Sequence, residues 1–117
     1  MKTHSAKAKG RRLQQEVRDR LLEVSKLHPD DIRSTPMGSS GEDVMLSPAA
    51  RKVFPWSIEC KNVEKLSIWS AIEQARANAK DYTPVVVFTK NHETTQVAIP
   101  FDFFIKLYEN YLENTKC

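Results

Sequence analysis

Residues 54–61 read Phe54-Pro55-Trp56-Ser57-Ile58-Glu59-Cys60-Lys61. Beyond the proline the side chains alternate, with Trp56, Ile58 and Cys60 on one face of an extended chain and Ser57, Glu59 and Lys61 on the other. The reading is a strand whose apolar face enters a core. Its carboxylate and ammonium, two residues apart, project into the same space.

Outward from this strand, Asp43-Val44-Met45-Leu46 predicts a short strand opened by Asp43, and 31–37 predicts another. Gly38-Ser39-Ser40-Gly41 is the flexible turn between them, and Ser47-Pro48 starts a polar loop to Lys52. Upstream, Leu13, Val17, Leu21 and Val24 recur at helical spacing across residues 9–27, and His28-Pro29 ends the run. Downstream, Ser67 caps a helix over 68–81 whose stripe, Ile68, Ala71, Ile72, Ala75 and Ala79, is small enough to pack closely on a sheet. Residues 85–89, bounded by Pro84, predict a strand buried on both faces, and 94–99 another, joined by Lys90-Asn91-His92-Glu93. In a last helix over 101–112, Phe101, Phe104, Ile105, Tyr108 and Leu112 line one face, Phe103 and Leu107 a second. The order α-β-β-β-α-β-β-α is an α/β fold with helices on a mixed central sheet.

With 117 residues, 40% hydrophobic and 28% charged, the chain suits one folded domain over 9–117, preceded at 1–8 by a basic flexible tail. Apolar runs such as Val85-Val86-Val87-Phe88 fall far short of the roughly 20 residues of a membrane span. The polar N-terminus lacks the apolar region of a secretory signal, so the expectation is a cytoplasmic protein. Cys60 and Cys117 support neither a disulfide framework nor a zinc cluster. The net charge is +3, yet Lys2, Lys7, Lys9, Arg11 and Arg12 crowd the first twelve residues with no acid, which suits either a polyanion partner or a solvated tail. His4, His28 and His92 stand apart from any nucleophile motif, and no glycine-rich phosphate loop occurs, so neither a hydrolase triad nor a nucleotide cofactor is expected.

Asp43, Glu59 and Lys61 are the residues with chemistry to offer. If their strands are neighbours, two carboxylates meet at a distance that suits Mg²⁺ or Mn²⁺, and the lysine stands where it can offset charge on a phosphate. On strand geometry Glu42 points away from Asp43 and reads as a surface charge.

This order of elements, with Asp43 and the Glu59-x-Lys61 strand, resembles the PD-(D/E)xK nuclease superfamily, and within it the small archaeal and phage-type Holliday junction resolvases. The likeness runs from Lys9 to Leu112; Glu42 departs from it, standing where the motif has proline. It implies a restriction-endonuclease-like three-layer core and metal-dependent hydrolysis of DNA. Asp43 and Glu59 match its metal carboxylates, Lys61 its catalytic lysine, Cys60 a backbone carbonyl ligand, and Glu16 the acidic residue of the first helix. Ser39 and Ser40 match a turn near the DNA backbone, and Gln74 a glutamine of the second helix. In that fold Lys7, Lys9, Arg11, Arg12 and Arg33 lie at the site's end to contact phosphates, joined by Arg51 and Lys52. The resemblance, with the surplus apolar face of the last helix, implies a homodimer acting on branched DNA in a bacterial, archaeal or phage-infected cell. A nuclease of nicks or single strands, and a non-catalytic DNA-binding module on the same fold, are the alternatives.

Overall fold

The alternation at 56–61 becomes β3 (Trp56–Asn62) in the computed structural model, which describes residues 2–36 and 41–115. β3 pairs in parallel with β4 (Thr83–Thr89), in a register running from Trp56↔Thr83 to Asn62↔Thr89. A parallel pair needs a crossover, supplied by α3 (Ile68–Ala79). β4 then pairs antiparallel with β5 (Gln96–Ala98) through a tight turn in which His92 takes φ 65°. The result is a mixed three-stranded sheet, ordered β3-β4-β5.

β1 (Ile32–Ser34) and β2 (Val44–Leu46) form a separate antiparallel pair, in place of the single sheet expected. β2 meets β3 through one backbone bond, from Asp43 N–H to the Ile58 carbonyl at 2.9 Å. The next donor on that edge, Cys60 N–H, is taken at 2.7 Å by the Asp43 side chain, so no backbone acceptor extends the ladder.

Helices cover both faces. Leu13, Val17, Leu21 and Leu22 of α1 (Lys2–Ser25) pack on the face bearing Ile58, Cys60 and Val85, together with Ile32, Val44, Leu46, Ala50 and Phe54. On the other face Ala71 and Ala75 of α3 close on Val86, with Phe88 and Ala98 alongside. Val85 and Val86 are both buried and serve opposite cores, as the apolar run at 85–89 implies.

Several boundaries differ from expectation. The helix begins at Lys2, so residues 2–8 extend α1 instead of forming a tail; Ala6, Lys7, Ala8 and Lys9 are strong helix formers. It ends at Ser25, where Lys26 turns left-handed (φ 61°) and its N–H closes on the Leu22 carbonyl at 3.0 Å. Leu27 thereby folds back onto the core, while Val24, placed in the stripe by its spacing, is exposed. The loop at 47–52 contains α2 (Pro48–Val53), capped by Ser47 and entered through a proline at its first turn. The last helix, α4 (Phe101–Thr115), buries no residue. The molecule measures 55 × 30 × 29 Å with a radius of gyration of 14.7 Å, against about 13 Å for a compact chain of this length.

Candidate functional site

Asp43, Glu59 and Lys61 meet at the seam between the two sheets. Asp43 is fixed by three bonds: its N–H to Ile58, its carbonyl accepting from Thr35 N–H at 2.9 Å, and its Oδ2 accepting from Cys60 N–H at 2.7 Å. Since the Ile58 carbonyl and Cys60 N–H face this seam, the Cys60 carbonyl faces it too, because a strand residue turns both backbone groups to the same edge. The Cys60 thiol lies on the core side, and burial, with the charges of Asp43, Glu59 and Glu16, pushes its pKa up and leaves it unreactive.

Glu59 is 2% exposed, yet its partners are distant: Lys61 Nζ at 3.8 Å and Asn78 Nδ2 at 3.5 Å. Burial, and then the Asp43 charge, raise its pKa to about 7 against the smaller opposing effects of Lys61 and Asn78. Asp43 is also raised, by burial, with the Cys60 N–H and Lys61 opposing. Two neighbouring carboxylates short of compensating charge make a site that favours protons or a cation.

Around this pair the structure adds contacts that the sequence reading lacks. Arg51 Nη2 donates to Glu42 Oε1 at 2.6 Å, Nη1 donates to the Trp56 carbonyl at 2.7 Å, and the guanidinium lies 4.3 Å from the centre of the Tyr82 ring. Arg51 is therefore engaged within the chain, and Glu42 is an ion-paired, half-buried group instead of a solvated surface charge. Asn78 also donates to the Gly41 carbonyl at 3.3 Å. It stands on α3 one turn beyond Gln74, which is exposed. The available signal was a polar residue next to the alanine stripe and one turn from Gln74. Gly41 holds φ +94°, a left-handed conformation that glycine adopts without strain, at the entry to Asp43. An open cleft of about 470 Å³, lined by Thr35, Gly41, Glu42, Arg51, Asn78 and Tyr82 among others, adjoins the seam.

Of the other site candidates, Glu16 is near enough for its charge to act on Cys60, and the rest are dispersed. Glu16 is exposed on α1 and accepts from the Thr95 hydroxyl at 3.3 Å. Lys9 pairs with Glu64 at 3.1 Å, and the same Glu64 carboxylate accepts from Asn91 N–H at 2.8 Å, which holds it below its ordinary pKa. Lys7, Arg11 and Arg12 are exposed along α1, Arg33 on β1 and Lys52 on α2. Ser39 and Ser40 lie outside the described residues, as does Cys117.

Among the described residues no three His, Cys, Asp or Glu side chains converge as a metal-holding group. Asp43, Glu59 and the Cys60 carbonyl are the groups that could hold a cation, and the kind that takes only one or two carboxylates and keeps several waters is a hard one such as Mg²⁺. Compared with family models, curated proteins and solved structures, the chain matches none at a significant level.

Proposed function

We propose that this chain is a metal-dependent DNA endonuclease with a restriction-endonuclease-like core of the PD-(D/E)xK type, acting on branched DNA such as a Holliday junction. The observation that carries the reading is the buried Glu59 carboxylate, set against Asp43 and met only at arm's length among the described residues, by Lys61 at 3.8 Å and Asn78 at 3.5 Å. Asp43, Glu59 and the Cys60 carbonyl would hold Mg²⁺ or Mn²⁺, which supplies Lewis acidity and an activated water to phosphodiester hydrolysis when bound. Lys61, on the face of Glu59, would offset the charge that develops on the scissile phosphate. Lys7, Arg11, Arg12, Arg33 and Lys52 are exposed and would bind phosphates without reading sequence.

A homodimer belongs to the same reading, since cutting both strands of a junction takes two sites. The surface that supports it is α4, where Phe101, Phe104, Tyr108 and Tyr111 stand 51–73% exposed. An apolar groove of about 310 Å³ at its base is walled by Trp69, Ile72 and Phe101. Among the described residues no helix is long and apolar enough to cross a membrane, and a cytoplasmic setting goes with a DNA substrate.

The test is a cleavage assay that offers a four-way junction, nicked duplex, linear duplex and single strand side by side, in Mg²⁺ and in EDTA. Paired symmetric cuts in the junction, abolished by EDTA and by Glu59→Ala or Asp43→Ala while DNA binding persists, are expected. Cutting of every substrate would mark a general nuclease. Binding without cutting would mark a non-catalytic module, and a Glu59→Ala variant of normal rate would remove the site assignment.

A further inference from the structure

We propose that Arg51 is a positioning residue of the Asp43–Glu59 pair, an inference that rests on the metal-dependent reading above. Its guanidinium joins three segments that meet at the seam. One arm holds Glu42, the residue before Asp43, at 2.6 Å. The other holds the Trp56 carbonyl at 2.7 Å, at the start of the strand that carries Glu59 and Lys61. The guanidinium carbon lies over the ring of Tyr82, the residue before β4, 4.3 Å from its centre.

β2 and β3 share one backbone bond and the Asp43–Cys60 bond, so little in the ladder itself fixes how far Asp43 stands from Glu59. Two carboxylates short of compensation tend to separate, and Arg51 bridges the segment that leads through Asp43 into β2 and the strand β3 that carries Glu59. Asn78, which lines the same cleft, donates to the Gly41 carbonyl at 3.3 Å and stands 3.5 Å from Glu59. A forked, planar guanidinium makes these two bonds and the ring contact together, whereas a lysine ammonium is a single point charge. The groups facing Arg51 thus assign it the distance between the carboxylates and not a DNA phosphate.

The experiment compares wild type, Arg51→Lys, Arg51→Gln, Tyr82→Leu and Glu59→Ala as full chains. Mn²⁺ affinity is measured by calorimetry without DNA, junction affinity and its salt dependence in EDTA, and cleavage as kcat and KM. Arg51→Lys is expected to weaken Mn²⁺ about tenfold and lower kcat, with junction affinity within about twofold and an unchanged salt slope. Tyr82→Leu, at an exposed ring, is expected to shift Mn²⁺ the same way by about two- to fivefold, and carries the test should the Arg51 variants not fold. Unaltered Mn²⁺ affinity with weaker junction binding and a shallower salt slope would overturn the proposal and make Arg51 a phosphate contact. A lowered melting temperature with Mn²⁺ affinity and kcat unchanged would also overturn it. Wild type that binds no Mn²⁺ would bring down the nuclease reading and this inference together. Mn²⁺ binding lost in Glu59→Ala but intact in Arg51→Lys and Tyr82→Leu would remove this inference alone.

Discussion

Glu59 ties acidity to both stability and binding. With its pKa raised from 4.5 to about 7, the folded chain binds a proton more tightly than the unfolded chain does. That contribution is complete below about pH 4.5 and is lost as pH rises through about 7, and Asp43 acts in the same sense. In EDTA, melting temperature attributable to this pair should therefore fall between pH 5 and 8, by the equivalent of on the order of 2–3 kcal/mol. Glu59→Gln should flatten the profile and raise the melting temperature at pH 8. On the proposed metal-dependent reading a cation competes with that proton, so Mg²⁺ affinity should rise about tenfold from pH 6 to pH 8, with protons released on binding. Calorimetry in buffers of differing ionisation enthalpy reads both effects.

At the scale of elements, the parts visible in the sequence are those whose pattern is local. The alternation from Trp56 to Lys61 places β3, the alanines of Ile68–Ala79 place α3 on a sheet, and β4 shows itself by its β-branched run. What stays hidden depends on contacts distant in sequence. No spacing announces that Arg51 grips Glu42 and Trp56, or that Asn78 and not Gln74 faces Glu59. The helix α2 is six residues long, too short for a periodic signal, although Ser47-Pro48 is a recognisable start. Ser47 serves two elements at once: its Oγ accepts from Ala50 N–H at 3.1 Å and donates to Asp31 Oδ1 at 2.7 Å. Ser47→Ala should cost about 1 kcal/mol, or somewhat more with the second bond, measured as a lower urea midpoint at unchanged m-value.

For the whole molecule, the exposed helix α4 is the feature that a single copy leaves unexplained. A 15-residue helix with no buried residue has little to hold it, since most helical stability in proteins comes from packing an apolar face. Phe103 does reach Trp56, ring to ring at 6.5 Å. Trp69, Phe101, Phe104, Tyr108 and Tyr111 remain 51–73% exposed. Together they present on the order of 600 Å², a large share of the about 800 Å² that each partner brings to a standard interface. Sedimentation should accordingly give about twice the 13.4 kDa chain mass. Phe104→Glu with Tyr108→Glu should return the protein to a monomer that still binds Mn²⁺ but no longer makes paired cuts; a variant that stays dimeric would move the interface elsewhere.

The seam between the sheets also sets the charge of the site on a joint between two sheets. When both carboxylates are ionised and bare, their repulsion acts across a line whose polar ties are one backbone bond, the Asp43–Cys60 bond and the Arg51 bridge, laid over the core that the two sheets share. A proton, or on the proposed reading a cation, removes that repulsion. The opening rate of the Asp43 and Cys60 amides, followed by hydrogen exchange, is then a gauge of what occupies the site, so that the state of two acids is written in the tightness of the joint between two sheets.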